Sequence, residues 1–203
     1  MRIIPTVAPT TLAMIAALSL ALVVGAASGV RAQSAKERLD RIEALIAEGA
    51  ARDAMQEARL LYLDLADRAG FAIARTVLTT RPAPGFGDFD PNPDGIVPAG
   101  SPIHAYVEVT GATARQLPGG VSELVFVVDF AVLDAQGERL TEVVRMGEVR
   151  MPSRSRGIDI YLDLTYNITG APPGDYVLWT EVTDGVGGAS QQFELPVTIA
   201  SGG

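Results

Sequence analysis

The hydrophobic period of the chain changes once, near residue 70. Ahead of that point Leu39, Ile42, Leu45 and Ile46 recur at the spacing of an amphipathic helix, and Met55, Ala58, Leu61 and Leu65 make a second stripe of the same kind. Ser34-Ala35-Lys36-Glu37 has the spelling of a capping box, Gly49 interrupts the two stripes, and Gly70 follows the second. The pattern predicts a helical hairpin over residues 33–70. Beyond it the period is two. Ile103, Ala105, Val107 and Val109 alternate with His104, Tyr106, Glu108 and Thr110, and Ile158, Ile160, Leu162 and Leu164 alternate with Asp159, Tyr161, Asp163 and Thr165. Leu124–Val132 is almost wholly apolar, as a central strand covered on both faces would be.

Further strands are expected over Phe71–Thr80 and Thr141–Met151, from Tyr176 to Val182, and along the row Gln191, Phe193, Leu195, Val197, Ile199. Turn chemistry separates them: Asp134-Ala135-Gln136-Gly137, Ala171-Pro172-Pro173-Gly174 and Asp184-Gly185-Val186-Gly187-Gly188. A longer Pro-, Gly- and Asp-rich connector runs from Arg81 to Ser101. The prediction for residues 71–203 is therefore a mainly β domain, an antiparallel sandwich of seven strands.

The first 32 residues follow neither rule. Arg2 supplies a positive start, Leu12–Gly25 is uncharged and apolar, and Val30-Arg31-Ala32 offers a cleavage site before Gln33. These parts in this order predict a secretory signal peptide over residues 1–32. Retained instead as an anchor, the uncharged stretch Thr11–Val30 could just span a bilayer; cleaved, it leaves no stable span. Either outcome places the rest of the chain outside the cytoplasm, periplasmic or secreted.

Loss of Arg2 and Arg31 with the leader moves the formal charge from −8 to −10. So acidic a domain repels phosphate backbones, and nucleic acid is not an expected partner. With no cysteine, disulfides, thiolate metal sites and a cysteine nucleophile are all excluded.

Pro173-Gly174-Asp175-Tyr176-Val177-Leu178, followed by Val182-Thr183-Asp184 and Phe193–Ile199, resembles the closing hairpin of bacterial immunoglobulin-like and fibronectin type III-like modules. The resemblance covers about thirty residues. It implies a sandwich and brings no catalytic residues with it.

Three features bear on chemistry. Asp90-Pro91-Asn92-Pro93-Asp94-Gly95 matches the front half of a calcium loop, and Asp88 adds a carboxylate, so Asp88, Asp90, Asn92 and Asp94 are candidate ligands. The closing glutamate is missing, its place taken by Ser101. A second candidate is a surface. Tyr106, Glu108, Tyr161 and Trp179 fall in the outward rows, where rings beside carboxylates suit a protein partner or a sugar. The competing expectation is that the helical hairpin covers this face, with Trp179 beneath it. Third, His104 is the sole histidine and no nucleophile or metal-hydrolase motif accompanies it, so no enzyme and no cofactor is expected. The expected function is an exported, non-catalytic binding or scaffolding module acting on an envelope protein; the alternative is a calcium- or carbohydrate-binding module.

Overall fold

The computed structural model describes residues 35–168 and 170–201. The expected leader and the Ser34 end of the capping box lie outside the described residues. The chain divides into two compact units, Met1–Tyr62 and Leu63–Gly203.

The first unit contains helix α1, residues 35–47, and the start of helix α2, Ala51–Ala69. The turn between them is closed by Gly49 at φ 75°, with Ala50 N–H donating to the Leu45 carbonyl at 2.8 Å. An ion pair of Arg38 with Glu57, 3.0 Å, links the helices. Leu45 and Ala54 are buried, whereas Leu39, Ile46, Met55, Leu60 and Tyr62 are exposed.

The second unit is mainly β. Its strands are β1 (Ala72–Thr79), β2 (Ile96–Pro98), β3 (Ile103–Thr110), β4 (Arg115–Leu117), β5 (Val121–Asp134), β6 (Val144–Ser153), β7 (Ile160–Tyr166), β8 (Gly174–Asp184) and β9 (Ser190–Ala200). One sheet has the order β1-β3-β7. The other holds β2-β9-β8-β5-β4, with β6 on the free side of β5. Most of the alternating rows identified in the sequence point into one shared core, but Ile158 and Gln191, at the starts of their rows, are exposed. Ala105, Val107, Leu162 and Leu164 come from the smaller sheet, and Phe126, Val128, Leu178, Val182, Leu195 and Val197 from the larger. Buried among them, the Tyr166 hydroxyl meets Thr180 Oγ1 at 2.9 Å, so the one polar atom of that ring is not left without a partner.

Among the described residues the strands number nine, against the seven expected. The two extra strands, β2 and β4, have three residues each and are too short to show a period. The wholly antiparallel pattern is corrected as well: β2 lies parallel to β9, with Ile96 opposite Thr198. β2 arises inside the 81–101 connector, because Val97 drops into the core while Ile96 and Pro98 face out.

Two close approaches shape the unit. Gly111, φ 67°, ends β3 against the C-terminus of α2, and a methyl group there would stand 1.9 Å from the Gly70 carbonyl oxygen and 2.8 Å from that of Ala66. Asp184 closes β8 with a fully buried carboxylate. It accepts from Val186 and Gly187 N–H at 3.0 Å each and from Thr113 N–H at 2.8 Å. The β8–β9 turn is thereby tied to the segment after β3.

Candidate functional site

The expected surface is divided by the fold. β3 and β7 are neighbours, so Glu108 stands opposite Tyr161 and Tyr106 opposite Asp163. These residues do share the outer face of the smaller sheet. Trp179 does not join them. It lies on β8 in the other sheet, between Ala131 and Glu194, with the Arg139 guanidinium 5.3 Å from its ring centre.

Nor is the shared face open. Tyr106 has no exposed surface. The 81–101 connector folds back over it: Phe89 stacks on Tyr106 at 4.4 Å, and Tyr161 stacks on the other side at 5.4 Å. The connector is fastened by polar contacts as well. Gly87 N–H donates to the Tyr106 hydroxyl at 2.9 Å, that hydroxyl donates to Glu108 Oε1 at 3.0 Å, and Ala83 N–H donates to Asp163 Oδ1 at 2.9 Å. Burial pushes the Tyr106 hydroxyl above the ordinary tyrosine range, and the neighbouring Glu108 adds to the effect. Tyr106 thus serves as a seat for the chain's own connector, with Glu108 and Tyr161 held against Tyr106. Alternation alone could not show this, since a strand residue facing away from the core can still be covered by a loop.

The acidic residues of the connector do not converge. Arg81 holds Asp90 at 2.6 Å and lies 4.0 Å from Asp88. The Asn92 side-chain amide donates to the Ile96 carbonyl at 3.1 Å, while Asp94 is exposed. Among the described residues no group of three metal-binding side chains is assembled. The segment that carries the calcium-loop spelling of Asp88, Asp90, Asn92 and Asp94 is held by contacts within its own chain. Backbone bonds from Thr80 N–H to the Asp90 carbonyl and from Asn92 N–H to the Leu78 carbonyl tie its middle to the end of β1 and the residue that follows.

His104 Nδ1 lies 3.1 Å from Thr165 Oγ1 on the neighbouring strand. An apolar cleft of about 200 Å³ opens between the β6 and β7 sides of the two sheets, lined in part by Leu124, Met151, Ile160, Tyr161 and Arg156. Arg156 is held there by a two-pronged ion pair with Asp67, one contact being 2.7 Å, and the same pair depresses the Asp67 carboxyl below its usual value. The sequence carried no sign of this pairing, because its partners are 89 residues apart.

No family model matches the chain, and no curated protein matches it in sequence. Among solved structures it is similar to CopC from Methylosinus trichosporium OB3b, with 16% identity over 63% of this chain and 95% of that one, at a TM-score of 0.29. It is similar to the sporulation control protein Spo0M of Bacillus subtilis, with 11% identity over 64% of this chain and 49% of that one, at 0.32. The superoxide reductase (neelaredoxin) of Ignicoccus hospitalis gives 14% identity over 64% and 81%, at 0.31. Likenesses this distant carry no functional argument.

Proposed function

We propose that the chain is an exported, non-catalytic binding module, an immunoglobulin-like β-sandwich whose N-terminal helices take a protein partner from the cell envelope. The observation that carries the reading is the state of the first unit. Its helices bury Leu45 and Ala54 and leave Leu39, Ile46, Met55, Leu60 and Tyr62 exposed. Large apolar side chains left exposed on two short helices suit a surface completed by another protein. The leader spelling, the acidic charge and the lack of cysteine all fit a chain that works outside the cytoplasm. The immunoglobulin-like part of the reading is supported by Tyr176. Its hydroxyl donates to the Pro172 carbonyl four residues upstream at 2.8 Å, at the entry to β8. The contact resembles the tyrosine corner of such sandwiches, and it supports the reading in that sense.

A photoreactive phenylalanine analogue at Met55 or Tyr62, activated in intact cells, tests the proposal. The expected result is one discrete adduct with another protein at both positions and none at exposed Gln192 on β9. Equal labelling at all three positions, or an adduct of twice the chain's own mass, would sink it.

A further inference from the structure

Among the described residues β6 pairs with β5 alone, so its other side offers ten residues of unpaired backbone. Native sheets seldom leave so long an edge open without protection. Here the irregular backbone lies at the two ends, and the charges between them, Glu148 and Arg150, are of opposite sign. The register slips between Val128 and Asp129 of β5, where Met146 is the extra residue on β6, and Pro152 removes a donor near the C-terminal end. Between them lies the regular stretch Gly147–Met151, on which Glu148 and Arg150 share the outer face while Val149 and Met151 pack toward the core.

We propose that this stretch pairs with its own copy in a second chain, antiparallel, about a two-fold axis through Val149. That axis sets Glu148 against the partner's Arg150 and Arg150 against the partner's Glu148, so two opposite-charge pairs form at once. Met146 then falls opposite the partner's Pro152, leaving both irregular positions at the margins. Moving the axis by one residue places Glu148 on Glu148 or Arg150 on Arg150, which repels. The charges are already poised in the single chain. Arg150 lies 2.5 Å from Glu148 and 3.5 Å from Glu123, and Glu148 and Arg150 are both well exposed. On the inner face Val149 and Met151 of both chains would extend one apolar row across the axis.

Charge exchange tests the pairing on the full chain as purified. Sedimentation should give twice the chain mass for the unaltered protein, the single chain mass for Glu148→Arg and for Arg150→Glu, and the doubled mass again for the two changes together. The chain has no native cysteine, so Val149→Cys adds a lone thiol directly on the axis, within disulfide reach of its copy. It should cross-link on mild oxidation, whereas Ser153→Cys, which meets Arg145 of the copy, should not. An unaltered chain that stays single from micromolar to millimolar concentration overturns the proposal. So does a double variant that fails to regain the doubled mass, or a Val149→Cys chain that links no faster than Ser153→Cys.

Discussion

Replacing Gly111 by alanine should be among the most damaging single changes in the second unit, and the reason can be split into two parts. The first is conformational: at φ 67° a residue with a β-carbon costs about 1–2 kcal/mol. The second is steric. The added carbon would lie 1.9 Å from the Gly70 oxygen and 2.5 Å from its carbonyl carbon, and neither is the movable end of a side chain. The end of α2 must therefore back away from the turn after β3, which loosens the packing of Leu63 and Phe71, both buried. Opening a well-packed contact of this kind adds about 1–3 kcal/mol, for a total of roughly 2–5 kcal/mol. Gly137 supplies the control. It has φ 82° with nothing within 4 Å, so Gly137→Ala should show the conformational part alone. Urea unfolding followed by circular dichroism gives both values. If Gly111→Ala loses no more than Gly137→Ala, the close approach between helix end and turn is not real and the reasoning fails.

Asp184→Asn should cost about 2–3 kcal/mol by the same assay, because an amide in that position turns one of three accepted N–H bonds into a clash of donors. Tyr176→Phe should cost about 1 kcal/mol, the worth of one hydrogen bond, with the shape otherwise kept. Calcium and EDTA should each leave the melting temperature unchanged, since Arg81 already engages Asp90 and lies near Asp88; a rise of several degrees with calcium would contradict that. In alkaline titration Tyr106 and Tyr166, both held above the ordinary range chiefly by burial, should keep their protons above the pH at which a free tyrosine ionises. The unfolded chain releases those protons near pH 10, so stability should be full below that pH and fall as pH rises through it. Ultraviolet titration of Tyr106→Phe and Tyr166→Phe chains that each lose a step at the free-tyrosine pH, with the protein still folded, would refute this.

The β architecture was legible because long strands repeat their period often enough to be read. The rows 103–109 and 195–199 were placed correctly as inward, and the turns at Asp134 and Asp184 fall where their residues predict. Three-residue strands such as β2 and β4 carry no period and were invisible. The candidate site was less legible for a different reason. Alternation tells which side of a strand faces the core, but not what lies over the other side. Tyr106 was correctly outward from the core and still fully buried, because Phe89, seventeen positions earlier, stacks upon it. The stripe of α2 gave the opposite surprise. Met55 and Leu65 have the spacing of a buried face and are exposed, since a helical period records an apolar side and not the presence of something to cover it.

The parallel pairing of β2 with β9 has a consequence for how the chain becomes a protein. It joins positions about a hundred residues apart, and β9 also completes the larger sheet beside β8. Until the final strand leaves the ribosome, β2 has no neighbour and the core stays open along β8. Topologies that wait for such distant contacts fold slowly. In a chain of this design the larger sheet closes only after β9 has been made, so the order of synthesis sets the order in which its strands can pair.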